Sequence, residues 1–104
     1  MKEIDVSKLK SMKENNEKFI LLDVREKNEI DFANINPHVH ISIGEIPNRY
    51  KEVDENRKII VMCQSGVRSA NVCQYLEPVG YNVYNLIGGI DAWSKLIDPS
   101  VSIY

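Results

Sequence analysis

Four short apolar runs limit what this chain can become. They are Phe19-Ile20-Leu21-Leu22, His38-Val39-His40-Ile41-Ser42-Ile43, Ile59-Ile60-Val61 and Val83-Tyr84-Asn85-Leu86. None is long enough to stand as an independent helix. Phe19–Leu22 and Ile59–Val61 are continuous rather than alternating, the pattern of strands covered on both faces in a parallel sheet. His38–Ile43 alternates and reads as a shorter strand. Residues at helical spacing lie between the runs. Ile4-Asp5-Val6 is an extended start, and Ser7 is placed to cap a helix carrying Leu9 and Met12 to about Asn15. Glu26–Ala33 carries Ile30 and Ala33 on one side. Glu45–Val53 suits a helix whose first turn holds Pro47. Ser69, Val72, Cys73 and Leu76 recur on one face, as do Ile90, Trp93 and Leu96. Such alternation predicts an α/β domain with a mainly parallel sheet and helices on both faces.

A length of 104 residues suits one domain, with a core over about residues 4–96 and a tail over 97–104. Such a domain buries about two-thirds of its unfolded surface and needs no disulfide or metal staple. The formal charge is −2 with the signs interspersed. No basic face is evident, which argues against a nucleic-acid partner. No apolar run has the length of a membrane span, and Met1–Asp5 lacks the apolar core of a signal peptide. The expected location is the cytoplasm. Two cysteines there read as free thiols. Cys73, about two turns into the following helix, lies roughly 10 Å along its axis from the loop at about 1.5 Å per residue, beyond the roughly 7 Å that a bridge allows.

The chemistry concentrates in Lys58–Ala70. The strand Ile59–Val61 ends at Met62, Cys63 follows at once, and the loop Gln64-Ser65-Gly66-Val67-Arg68 leads into a helix. A thiol is a poor nucleophile until it loses its proton, and its pKa falls beside a helix N-terminus or a positive charge. Cys63 is offered both. The following helix points its unpaired first-turn amides back at the loop. The loop is short enough to curl into a nest of amides, Gly66 permits a positive φ, and Arg68 adds charge. The plain alternative is a buried structural cysteine before an ordinary strand–helix turn. Asp23 and Arg25 directly follow another buried strand, where open α/β sheets place their ligand crevice. They serve either as fixing groups, a cap and an ion pair, or in the chemistry itself.

Several stretches together carry a resemblance. Cys63-Gln64-Ser65-Gly66-Val67-Arg68-Ser69-Ala70 resembles the active-site loop of the rhodanese-like sulfurtransferases. Leu21-Leu22-Asp23-Val24-Arg25-Glu26, Gly80–Leu86 and Gly88-Gly89-Ile90-Asp91-Ala92-Trp93 resemble, in order, further elements of that family. The resemblance implies a five-stranded parallel sheet flanked by helices. It implies a double displacement in which the Cys63 thiolate takes the outer sulfur of thiosulfate or a persulfide. The resulting persulfide is cradled by the amides of Gln64, Ser65, Gly66, Val67, Arg68 and Ser69. A thiol or cyanide then accepts the sulfur, with no metal or organic cofactor. Arg68 would attract the donor, and Asp23 and Arg25 would brace the loop. Working alone and relaying sulfur to a protein partner both stay open. Ala33-Asn34-Ile35-Asn36-Pro37-His38 departs from the family, which has glycines and a histidine in that turn.

Competing readings rest on particular residues. Related phosphatases place an arginine sixth after the cysteine, whereas Arg68 is fifth after Cys63, so the cradle is tighter and better suited to sulfur than to phosphate. A binding module without turnover is a second alternative, against which the presence of Cys63 counts. Cys73 reads as a core cysteine rather than a resolving thiol. His38 and His40 share a strand face but are too few for a metal site. Trp93 reads as a core anchor, and Tyr75, Tyr81 and Tyr84 as packing and surface residues.

Overall fold

A computed structural model describes residues 1–104. Its elements in chain order are β1 (Glu3–Ile4), α1 (Val6–Glu14), β2 (Ile20–Asp23), α2 (Lys27–Phe32), β3 (Val39–His40), α3 (Ile46–Arg49), β4 (Lys58–Met62), α4 (Val67–Leu76), β5 (Asn82–Leu86) and α5 (Gly89–Leu96). The sheet has five strands in the order β1-β5-β4-β2-β3, with every neighbouring pair parallel. The central strand β4 alternates its side chains between two cores, as a period of two requires. Ile59 and Val61 face one side with Val72, Cys73, Leu76 and Val83. Ile60 and Met62 face the other with Leu9, Met12, Ile90 and Trp93. The continuous apolar run of β4 therefore follows from burial on both faces.

The order of the strands decides where a site can form. After β2 the chain moves outward to β3; after β4 it moves the opposite way, to β5. The connections from two adjacent parallel strands thus diverge at their carboxyl ends and leave a crevice between them. Asp23 and Met62 are paired in the last rung of β2 and β4, which brings Val24-Arg25 and Cys63 to the same crest. No helix is long and apolar enough to cross a membrane.

Local boundaries differ from the sequence expectations for physical reasons. Asp5, rather than Ser7, caps α1: its carboxylate accepts the Lys8 N–H at 2.8 Å, and Ser7 lies within the first turn. The strand expected over 38–43 shortens to Val39–His40, because β3 is an edge with β2 as its sole neighbour. The helix expected over 45–53 is split into 3-10 turns at Ile43–Glu45 and Tyr50–Glu52 around α3, with Pro47 in the first turn of α3. The divergent turn after α2 contains a cis peptide at Asn36–Pro37 and buries Ala33 and Ile35.

Candidate active site

Cys63 lies just past β4 and is only 1% exposed. Burial by itself pushes a thiol pKa up. Here it is outweighed by hydrogen bonds to the sulfur from the Ser69 hydroxyl and the amides of Ser69, Gly66 and Ser65, so the Cys63 pKa falls below its ordinary value. The Gly66 N–H donates to Sγ at 3.0 Å and the Ser69 N–H at 3.4 Å, with the Ser69 hydroxyl also at 3.4 Å. Val67 and Arg68 stand in the first turn of α4, so no carbonyl one turn back in the helix takes their amides. The loop therefore has donors on the sulfur and further amides beside it, which suits a thiolate or a longer sulfur anion.

Two devices hold this cradle. Gly66 adopts φ +104°, turning the loop into α4, and a Cβ there would meet the Leu86 carbonyl at 3.3 Å. The carbonyls of Cys63 and Gln64 accept the amides of Ile90 and Asp91, both at 3.0 Å, at the start of α5. With its carbonyls drawn toward α5, the loop is left to turn amides toward the sulfur. The approach is close: a Cβ on Gly89 would stand 2.3 Å from the Gln64 oxygen and 2.4 Å from that of Cys63. The glycine pair therefore gives α5 direct access to the loop backbone.

Asn85 on β5 supports the loop from beneath. It is buried, and its Nδ2 donates to the Gly66 carbonyl at 3.1 Å. That carbonyl can only accept, so the amide nitrogen faces it and Oδ1 faces Ser69, whose hydroxyl donates to Oδ1. In the thiol state the Cys63 S–H can then donate to Ser69 Oγ. On ionisation the hydroxyl can rotate its proton to the sulfur. No side-chain base touches the thiol, and the donors act on the thiolate directly.

Asp23 and Arg25 are both fully buried and paired, with Arg25 Nη2 2.8 Å from Asp23 Oδ2. Arg25 also donates to the carbonyl of Ala33 at 2.8 Å and to the Tyr104 hydroxyl at 2.8 Å. Its contacts thus run to the end of α2, the divergent turn and the tail. They reach the Cys63 loop through a second pair, in which Arg68 grips Glu29 with both terminal nitrogens at 2.7 and 2.8 Å. Gln64 turns its side chain outward and donates to the main-chain oxygen of Tyr104 at 2.6 Å.

Sequence reasoning passed over Glu29, Asn85 and Tyr104. Glu29 is the third residue of α2, where it completes a capping box with Glu26, and that spacing was legible. An asparagine inside a short apolar strand is itself a signal, since Asn is depleted in strands and a buried amide demands partners. Nothing in the tail marked Tyr104. His38 and His40 each donate a ring N–H to a backbone carbonyl, of Ile35 at 3.0 Å and of Arg25 at 2.7 Å. Cys73 sits in the core on α4, where burial pushes its pKa up to about 12.

Comparison with known proteins agrees with this geometry. Residues 5–96 match the model of the Rhodanese-like domain family. A Bacillus subtilis protein named "Putative sulfurtransferase YtwF" is 40% identical over 99 residues, covering 95% of this chain and 96% of that protein. A protein of Allochromatium vinosum named "Sulfurtransferase" is 36% identical over 94 residues, covering 89% of this chain and 88% of its own. The crystal structure of a rhodanese-like domain protein from Staphylococcus aureus superposes with a TM-score of 0.87 at 31% identity, covering 100% of this chain and 99% of that one. The chain belongs to the rhodanese-like domain family.

Proposed function

We propose that this chain is a sulfurtransferase that carries a sulfane sulfur on Cys63 between a donor, thiosulfate or a persulfide, and an acceptor, a thiol or cyanide. The observation that carries this reading is the convergence on one sulfur of the Gly66 and Ser69 amides, with the Ser69 hydroxyl 3.4 Å away and free to turn its proton to Cys63 Sγ on ionisation. They favour the thiolate, the form that attacks. In the first half-reaction Cys63 Sγ attacks the outer sulfur of the donor. The donor's S–S bond breaks, and sulfite or a thiolate leaves with the bonding electrons. In the second the acceptor attacks the outer sulfur of the Cys63 persulfide, and Cys63 leaves as thiolate. The oriented amides from Gln64 to Ser69 receive the anion in both directions. They cost no reorganisation during the reaction because the start of α5 already holds the loop.

Relatives named as sulfurtransferases support the reading, and a Bacillus subtilis relative named "Putative sulfur carrier protein YrkF" is compatible with a relay to a protein partner. We take residues 1–104 as one catalytic domain acting in the cytoplasm, without nucleic acid or membrane as partner. Intact-protein mass spectrometry after incubation with sulfane donors tests the reaction. The expected result is a gain of about 32 Da, one sulfur, on Cys63 that a thiol or cyanide then removes. Absence of that adduct with every donor would favour a binding module over an enzyme. Release of phosphate from an aryl phosphate in step with Cys63 would favour a phosphatase.

A further inference from the structure

Both arginines at the crest are neutralised. Arg25 is sealed against Asp23, with both side chains 0% exposed. Arg68, in the first turn of the helix that follows Cys63, is held in a two-pronged grip by Glu29, their side chains 32% and 15% exposed. Glu29 is itself fixed. Its Oε1 also accepts the Glu26 amide at 3.0 Å, and its Oε2 the Tyr104 hydroxyl at 2.8 Å. The Arg68 guanidinium holds the Glu29 carboxyl down to about 2, so it stays ionised throughout the neutral range. Two carboxylates therefore cancel two guanidiniums around an attacking group that is itself an anion. What is left to attract a donor is the loop amides and the partial charge at the start of α4.

Resting on the Cys63 persulfide reading, we propose that Glu29 is a positioning residue for donor specificity: by engaging Arg68 it turns the site toward persulfides, R–S–SH, and away from dianionic thiosulfate. With thiosulfate, the Cys63 thiolate bonds to the outer sulfur and sulfite leaves with two negative charges, so three charges stay together throughout the step. With a persulfide, the thiolate bonds to the outer sulfur, which keeps its proton, and R–S⁻ leaves with the electron pair. Only one negative charge is then present at the reacting centre. Backbone donors suffice for the second case, whereas the first calls for a cation that Glu29 has occupied. The same chemistry is offered by a small persulfide or by one borne on a protein thiol.

The test is the second-order rate of sulfur loading on Cys63 by thiosulfate, cysteine persulfide and albumin persulfide. It is measured in the unaltered protein, in Glu29→Gln, in Arg68→Ala and in the double variant, at low and high salt. Gln keeps the capping geometry of α2, and thermal melts confirm that each variant folds. The unaltered protein is expected to load faster from persulfides than from thiosulfate. Glu29→Gln should shift the ratio toward thiosulfate about tenfold at low salt, and the gain should shrink as salt screens Arg68. Arg68→Ala exposes an uncompensated carboxylate and should depress thiosulfate further. Adding Glu29→Gln should restore that loss, which a purely structural role for Glu29 would not do. The order of the cysteine and albumin persulfides separates small from protein-borne donors, and either order ahead of thiosulfate sustains the proposal. A thiosulfate-first ranking, or a donor ratio unmoved by Glu29→Gln at either salt, overturns it. Failure of all donors to load Cys63 would instead bring down the underlying reaction.

Discussion

Cys63 and Cys73 lie in the same core cluster and are equally hidden, each 1% exposed. They nevertheless titrate in opposite directions. Cys73 sits on α4 among apolar side chains, and burial drives its pKa up to about 12. Cys63 meets the same penalty, but hydrogen bonds from Ser69, Gly66 and Ser65 reverse it. Burial alone therefore does not decide which way a cysteine's pKa moves. The distinction lies in whether the backbone presents N–H groups to the sulfur, and a helix presents them at its start and nowhere along its side.

Exchanging the roles of the two thiols should give the largest effect. Cys63→Ala is expected to reduce sulfur transfer on the order of 10³-fold or more while the protein still folds. Cys73→Ala should transfer sulfur at the unaltered rate and lose about 1–2 kcal/mol of stability, since it removes a buried group and leaves a small cavity. Denaturant melts and single-turnover loading check both. Comparable activity losses in the two variants would end the distinction drawn here.

Next comes the support under Cys63. A methyl group on Gly89 cannot fit 2.3 Å from the Gln64 oxygen. Gly89→Ala should therefore displace the loop, destabilise the fold by about 1–3 kcal/mol and cut transfer at least about tenfold. A crystal structure or amide chemical shifts of residues 63–69 would reveal the displacement.

A smaller and pH-dependent change is expected from Ser69→Ala. Losing the hydroxyl bond removes part of what holds the thiolate, so the Cys63 pKa should rise. The rate–pH profile should move to higher pH with it, leaving a deficit on its acid side that closes once both proteins are fully ionised. The linked stability has a definite sign. A thiol whose folded pKa is depressed stabilises the fold above its unfolded pKa, and the contribution disappears as pH falls through the folded value. Ser69→Ala should narrow that window. An unchanged acid limb would show that the amides alone set the ionisation.

The smallest effect concerns the rim. Glu29 falls from its ordinary value of 4.5 to about 2 on folding, chiefly through Arg68. Its pairing thus contributes stability above pH 4.5 that is lost as pH drops toward 2. Acid unfolding of the unaltered protein and of Glu29→Gln should converge near the lower value and separate modestly above 4.5. Curves that stay parallel across that interval would remove the pair from the stability of the fold.

Much of this molecule was legible before folding, and for local reasons. The continuous runs Phe19–Leu22 and Ile59–Val61 can be buried on both faces only in a covered sheet, and the observed parallel sheet agrees. Cys63 at the end of one such run, followed by a short loop and helical spacing, placed the thiol at a helix start without any knowledge of distant contacts. Asp23 and Arg25 were legible as charges at a strand end, though Arg25 was not legible as a partner of Ala33 and Tyr104. Boundaries such as the shortened β3 depended on whether a strand finds one neighbour or two, which no local pattern reports.

What the tertiary structure alone decided is pairing across long stretches of chain. Arg68 reads in sequence as a free cation for an anionic donor, yet Glu29, 39 residues earlier, occupies it. Asn85 reads as a residue of a short strand, yet it orients both the Gly66 carbonyl and the Ser69 hydroxyl. Tyr104 reads as a tail residue, yet it joins Arg25, Glu29 and Gln64. The physical reason is the same in each case. Backbone geometry and hydrophobic period are short-range and repeat along the chain, so a sequence displays them. The charge that a side chain finally presents depends on which partner the strand order brings within 3 Å or so of it, and that order is set only when the whole sheet has assembled.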